Sequence, residues 1–167
     1  NGRDETTTFF LLSNVKNHIS KPLIAAGGIA LGSQLKADMI LGADGVQIGS
    51  RFAATVEASA HNNWKNKIVD LNEGDTHLTL KELAPVRMVK NKFFHDLENL
   101  YETGRNAEAL KETLGRARAK KGMFEGDLEE GELEIGQVSA LIHEILPVEK
   151  VFENLLREFR ASSVVDL

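Results

Sequence analysis

The chain has 167 residues, 42% of them hydrophobic and 27% charged, with a mean hydropathy of −0.22; this composition permits the core of an ordinary domain and excludes a largely disordered chain. Its 20 basic and 25 acidic residues leave a net charge of −5, which is not the footprint of a nucleic-acid binder, and the lack of cysteine excludes disulfide scaffolds, thiolate metal sites and a cysteine nucleophile. No apolar run approaches the ~20 residues of a membrane span and the polar start is not a signal peptide, so a soluble cytoplasmic protein is expected.

Thr6, Thr7 and Thr8 each offer a cap to a helix with an apolar stripe of Leu12, Val15 and Ile19. Pro22 bars its continuation, which predicts a helix of ~12 residues ending near Ser20. Leu23 to Ala26 is a continuous apolar run closed by Gly27-Gly28, the pattern of a strand buried on both faces. Leu31, Leu35 and Met39 then repeat at helical spacing and stop at Gly42, a natural residue for a helix end, before Gly45 to Gly49 reads as a second buried strand. Strand, helix, strand is the crossover that joins parallel strands in an α/β sheet or barrel.

Trp64, Ile68 and Leu71 mark another amphipathic helix ending near residues 72–74, after which no strand of comparable strength is legible. Phe93, Leu97, Leu100 and Tyr101 form a helical face, and a second helix runs through Leu110 and Leu114, so residues 72 to about 121 read as a helical appendage. Glycines at 122, 126, 131 and 136 with acids between them predict a loop or a pair of turns. Ile135, Val138, Leu141 and Ile145 predict a helix stopping before Pro147. That proline stands where the first turn of a last helix begins, with Val148, Val151, Leu155 and Phe159 on its buried side.

The sharpest chemical feature is the pair of strand ends, Ala25-Ala26-Gly27-Gly28 and Gln47-Ile48-Gly49-Ser50-Arg51. In a parallel α/β architecture both open at the carboxyl edge of the sheet, where ligands bind. Glycine lets a backbone come within contact distance of a phosphate, and N–H groups at a helix start favour an anion. The competing reading is that Gly27-Gly28 only makes a tight turn and Gly49 only relieves packing.

The histidines, at 18, 61, 77, 95 and 143, stand in no metal-ligand spacing and read as surface or structural residues; no metal site is expected. Glu129, Glu130, Glu132 and Glu134 read as a solvated acidic loop. Arg116, Arg118, Lys120 and Lys121 form the one basic cluster, suited to the last turn of a helix.

Pro22 to Ile29, Leu41 to Phe52 and Glu57 to His61 closely resemble the closing strands of the FMN-dependent TIM barrels, the group of nitronate monooxygenases (2-nitropropane dioxygenases) and the flavin-type enoyl-acyl-carrier-protein reductase II. The pattern Gly126-Asp127-Leu128, Gly131, Gly136-Gln137 and the start at Leu146-Pro147-Val148 extend the resemblance over essentially the whole chain. It implies an α/β fold that is the C-terminal part of a TIM (β/α)8 barrel, strands 7 and 8, with a helical appendage. Residues 1–71 would be barrel, 72–132 the mainly helical appendage, and 133–167 closing helices that return to the barrel.

By the same resemblance, Gly27 and Gly28 after strand 7 and Gly49 and Ser50 after strand 8 hold the FMN phosphate, with Ala26 and Gln47 also at the cofactor. Ser50 stands where the family more often has threonine, which keeps the hydroxyl donor. Gly136-Gln137 would approach the flavin from the returning segment. The family's active-site histidine belongs to a Gly-Gly-His segment whose following residues resemble Asn1 to Thr7. The resemblance therefore puts that histidine upstream of Asn1 and implies no catalytic residue within the chain, which would be the C-terminal half of a longer enzyme, since a barrel takes ~250 residues.

The activity implied first is NAD(P)H-dependent reduction of an enoyl-acyl-carrier-protein in type II fatty-acid synthesis, hydride passing from NAD(P)H to FMN to the enoyl thioester. The alternatives are a nitronate monooxygenase using FMN and O2, and an inactive half-barrel fragment. The expected partner is a small-molecule or acyl-carrier-protein-linked substrate, with the basic cluster as a docking patch for the acidic carrier, and a homodimer as candidate assembly; neither nucleic acid nor membrane is expected.

Overall fold

The computed structural model describes residues 6–103 and 107–163. In chain order its elements are α1 (Thr8–Lys16), β1 (Ile24–Ala26), α2 (Gly32–Ile40), β2 (Gly45–Gln47), α3 (Ser50–Ala53), α4 (Asn62–Val69), β3 (Thr76–Thr79), β4 (Val86–Val89), α5 (Lys92–Glu102), α6 (Ala107–Leu114), α7 (Arg118–Met123), a short 3-10 helix at Gln137–Leu141, and α8 (Val148–Ala161). They form two compact units, one of residues 1–58 with 144–167 and the other of residues 59–143. Among the described residues no helix is long and apolar enough to cross a membrane.

The first unit is built on a strand–helix–strand crossover. β1 and β2 pair in parallel, with Ile24 opposite Gly45, Ala25 opposite Val46 and Ala26 opposite Gln47. Asp44 sets the start of this register: its carboxylate accepts the Leu23 N–H at 2.8 Å and the Lys16 ammonium at 3.1 Å, and both hold its pKa below the usual carboxylate value, the Leu23 bond first. Thr7 caps α1 by accepting the Phe10 N–H. The helix stops at Lys16, four residues before the end predicted at Ser20, because His18 N–H turns back to the Val15 carbonyl at 2.9 Å; Ile19 is left 38% exposed instead of joining the stripe. α2 ends as its sequence predicts. Gly42 adopts φ +101°, its N–H bonds Met39 O and the Ala43 N–H bonds Asp38 O, the paired closure of a Schellman motif.

The core here joins Leu12, Ala25, Ile29 and Ala43, with Leu23, Leu35, Leu41, Val46 and Ile48 packed against them. Burial of the strands on both faces is not what the structure shows: Ala25 is buried, but its neighbour Ile24 is 54% exposed, since only one face of the two-stranded sheet is covered among the described residues. The chain returns to this unit at residue 144. Val56 N–H bonds Leu146 O at 3.0 Å, and the Glu57 carboxylate accepts the Val148 N–H at 3.0 and 3.1 Å, so α8 begins on a borrowed cap. Pro147 is the N-cap itself, one position before the N1 place expected for it. α8 lies tight on α2, and its Glu158 carboxylate accepts the Gly32 N–H at 2.8 Å.

In the second unit His61 caps α4, its Nδ1 accepting the Asn63 N–H at 3.1 Å, and Trp64, Ile68 and Leu71 are buried as their spacing predicts. Where no strand was legible, β3 and β4 form an antiparallel hairpin, Thr76 opposite Val89 through Thr79 opposite Val86. Each strand has four residues and β3 is polar in sequence, too short for an alternating pattern to stand out. The segment after residue 132 joins β4: Val89 N–H bonds Leu133 O at 2.9 Å and Ile135 N–H bonds Arg87 O at 3.1 Å. That pairing corrects the helix predicted from Ile135. Ile135 is committed to a strand neighbour, so only the 3-10 helix at Gln137–Leu141 follows, and Ile142 is already extended. The predicted loop from Gly122 also begins later, since Gly122 lies inside α7. Leu80, Met88, Phe93, Phe94, Leu97 and Leu110 make the core beneath α5 and α6.

Candidate functional site

The register of β1 against β2 places Ala26 beside Gln47, so the two glycine-bearing segments leave the sheet at the same edge. Past Ala26 the chain turns on Gly27 at φ +97° and Gly28 at φ +77°, left-handed conformations that side chains other than glycine resist. Thr8 Oγ1 donates to the Gly27 carbonyl at 3.2 Å and ties this turn to the start of α1. Past Gln47, Gly49 is the N-cap of α3 and its carbonyl accepts the Ala53 N–H at 3.0 Å. Ala26, Gly27, Gly28, Gln47 and Gly49 are exposed, and Ser50 is half-buried at the first position of α3.

The glycines separate by what a side chain would meet. A Cβ at Gly32 would stand 2.0 Å from the Leu155 carbonyl oxygen, and one at Gly131 would stand 2.2 Å from Gly122 Cα; a Cβ at Gly126 would enter the His61 ring at 2.3 Å. At Gly27, Gly28 and Gly49 nothing lies within 4 Å. For Gly27 and Gly28 the positive φ already calls for glycine. Gly49 has φ −100° and ψ −67°, which any residue adopts, so neither conformation nor packing inside the chain accounts for it. Among the described residues nothing is packed where a Gly49 side chain would stand, which leaves room there for close approach of a ligand.

The unit's longer helices have their starts filled from within. Gln34 Oε1 accepts the Ala30 and Leu31 N–H groups at 2.9 and 3.1 Å ahead of α2, Glu158 takes the next, and Glu57 closes α8. Sequence gave no signal for the two carboxylate caps, whose partners stand 126 and 91 residues away. The same holds for Arg51. It is 7% exposed, and burial pulls its pKa below the ordinary arginine value, the Glu144 charge opposing in part.

The remaining candidates belong to other segments of the chain. Gly136 and Gln137 lie in the second unit, at the start of the 3-10 helix. His18 bonds Asn14 O, His77 and His95 pack against Phe94, and His143 is exposed past the 3-10 helix. His77 lies on β3, and His18 and His143 lie beyond the ends of the helices predicted to span them. Among the described residues no three His, Asp or Glu side chains are grouped as metal ligands.

The basic cluster and the acidic stretch pair with each other: Arg118 with Glu130, Lys120 with Glu125 and Lys121 with Asp127. Arg118 also lies over the Phe93 ring, 4.5 Å from its centre. Lys92 and then Arg118 lower the Glu130 pKa. Glu132, expected in a solvated loop, is half-buried, and burial, with the Glu134 charge adding, pushes its carboxyl up to about 7.

Set beside known proteins, residues 1–158 match the family model described as nitronate monooxygenase. A "Probable nitronate monooxygenase" of Bacillus subtilis is 34% identical over 149 residues, covering 89% of this chain and 43% of the relative. Among solved structures, FabK of Thermotoga maritima matches with a TM-score of 0.86 and 37% identity over 93% of this chain and 50% of its own. Nitroalkane oxidase of Streptomyces ansochromogenes matches with a TM-score of 0.71 and 31% identity over 92% of this chain and 43% of its own. The chain thus spans about half the length of the relatives it matches. Its α/β crossover is part of a TIM-barrel fold, and the chain belongs to the nitronate monooxygenase family of oxidoreductases.

Proposed function

We propose that the chain is the C-terminal part of an FMN-dependent oxidoreductase, with β1 and β2 as barrel strands 7 and 8, and that the whole enzyme reduces an enoyl-acyl-carrier-protein with NAD(P)H. The observation that carries the cofactor assignment is Gly49: exposed, unstrained and facing open space at the sheet edge where Gly27 and Gly28 also lie bare. The residues fit a phosphate. Two turns without side chains present backbone to one edge, and Ser50 brings a hydroxyl to the same corner. Ala26 and Gln47, abreast at the strand ends, would flank the group above the phosphate.

FMN, when bound, supplies reversible hydride chemistry at its ring. What this chain's residues contribute is the grip that orients it: Gly27, Gly28 and Gly49 bring backbone N–H groups close, Ser50 donates, and the α1 contact through Thr8 holds the first turn in place. By this reading the isolated chain binds FMN weakly, since it supplies the phosphate end alone.

The likeness to FabK, at 37% identity and a TM-score of 0.86 against 31% and 0.71 for the nitroalkane oxidase, supports the reductase. The second reading, a nitronate monooxygenase, is favoured by the matching family model and by the names of the curated relatives. Anaerobic mixing of the full-length protein with NADPH separates them. Rapid bleaching of the flavin is expected; bleaching by an alkyl nitronate and not by NADPH would overturn the reductase in favour of the monooxygenase.

A further inference from the structure

The best-buried cation of the first unit stands one residue beyond the strand-end corner. Arg51 is 7% exposed, and among the described residues no carboxylate oxygen hydrogen-bonds it. Its Nη2 donates to two main-chain carbonyls, Ala54 O at 3.3 Å and Glu144 O at 2.9 Å. The Glu144 charge offsets part of the cost of burying the guanidinium but does not cancel it, and an apolar side chain of similar size would be the cheaper filler. What the guanidinium does that such a filler could not is join two backbone segments.

Those segments are the two sides of one seam. Ala54 is the residue that closes α3, and Glu144 opens the return of the chain to this unit. Beyond the arginine the seam continues through Val56 N–H to Leu146 O and Glu57 to Val148 N–H, while Thr55 Oγ1 folds back on Phe52 O at 2.8 Å. α3 has only four residues, with the Ala53 N–H reaching back to Gly49 O, too short to hold a direction by itself. Its direction depends on what packs against it: Phe52 meets the Phe152 ring of α8 with centroids 5.4 Å apart, Arg51 grips its far end, and its near end is Gly49-Ser50.

Resting on the phosphate reading of that corner, we infer that Arg51 is a positioning residue for the flavin phosphate: by clamping the end of α3 to the returning chain, it holds the Gly49-Ser50 backbone at the distance and angle the phosphate requires. A grip of this kind depends on backbone placement to within a fraction of an ångström, so loosening α3 weakens it although no phosphate ligand is removed.

The test uses full-length protein stripped of cofactor, titrated with FMN and separately with riboflavin, which has the same ring and ribityl chain without the phosphate. Arg51→Lys keeps the charge but falls short of the two carbonyls that Nη2 reaches; Arg51→Met loses both charge and bonds. For both variants the FMN dissociation constant should rise at least about tenfold while that of riboflavin stays within about twofold. If Arg51→Met does not fold, Arg51→Lys decides alone. Equal weakening of both ligands would make Arg51 a general stabiliser and overturn the inference. So would wild-type FMN affinity in Arg51→Lys, which would assign the effect to charge and not to position. A wild-type protein that binds FMN no better than riboflavin would instead overturn the phosphate site itself, an outcome distinct from either.

Discussion

Glycine is clustered at two places in this chain, and the two clusters serve opposite ends. Around α7 and the turn after it, Gly122, Gly126 and Gly131 are glycine because another part of the unit occupies the space of a side chain: two backbones cross at Gly122 and Gly131, and the His61 ring covers Gly126. At the strand ends, a Cβ added at Gly27, Gly28 or Gly49 would meet no described atom within 4 Å. One cluster is filled from inside, and the other is left bare among the described residues. A glycine count cannot tell these apart, but the space beside each Cα can.

The contrast is most easily broken by adding a single methyl group. Gly131→Ala drives a Cβ to 2.2 Å from Gly122 Cα, where both neighbours are backbone and cannot swing aside. It should destabilise by ~3 kcal/mol or more, at the upper end of overpacking costs, lowering the thermal midpoint by ~2–4 °C per kcal/mol. A midpoint within a degree of wild type would mean that the crossing is not rigid.

The same dense turn should reveal itself through pH. Glu132, next to Gly131, has its carboxyl raised by burial from the ordinary 4.5 to about 7. Between those values the unfolded chain has already released this proton and the folded chain still holds it, so stability falls as pH rises from 4.5 to about 7. Glu132→Gln should flatten that part of the profile in urea titrations at a series of pH values; an unchanged slope would place the carboxyl in water.

The smallest effect on stability is expected at the open cluster. Gly49→Ala meets no atom and no conformational penalty, so its unfolding free energy should stay within ~0.5 kcal/mol of wild type. The full-length protein should nonetheless lose FMN affinity by about tenfold, read by fluorescence titration. Loss of stability with FMN affinity intact would reverse the comparison between the two clusters.

Much of this was legible from local pattern. The α2 stop at Gly42, the buried stripe of Trp64, Ile68 and Leu71 and the two short strands around the crossover all follow from spacing and turn chemistry within a dozen residues. The hairpin Thr76–Thr79 with Val86–Val89 was not, because four-residue strands carry too few positions for a period to show, and Ile135 was misread because its partner, Arg87, is far away in the chain. The site divides along the same line. Residue order made the two glycine-bearing strand ends stand out, since glycine there limits what the backbone can do wherever the rest of the chain lies, and the family resemblance made Ala26, Gly27, Gly28, Gln47, Gly49 and Ser50 the candidate cofactor residues.

Whether those glycines were packed or bare, and that Arg51 would sit buried between Ala54 and Glu144, only the tertiary structure decided. The physical reason is range. Backbone conformation and hydrophobic period are set by neighbours in sequence, whereas the space beside Gly32, closed by α8, and the company of the buried Arg51 are set by segments that sequence holds some 90 to 126 residues apart.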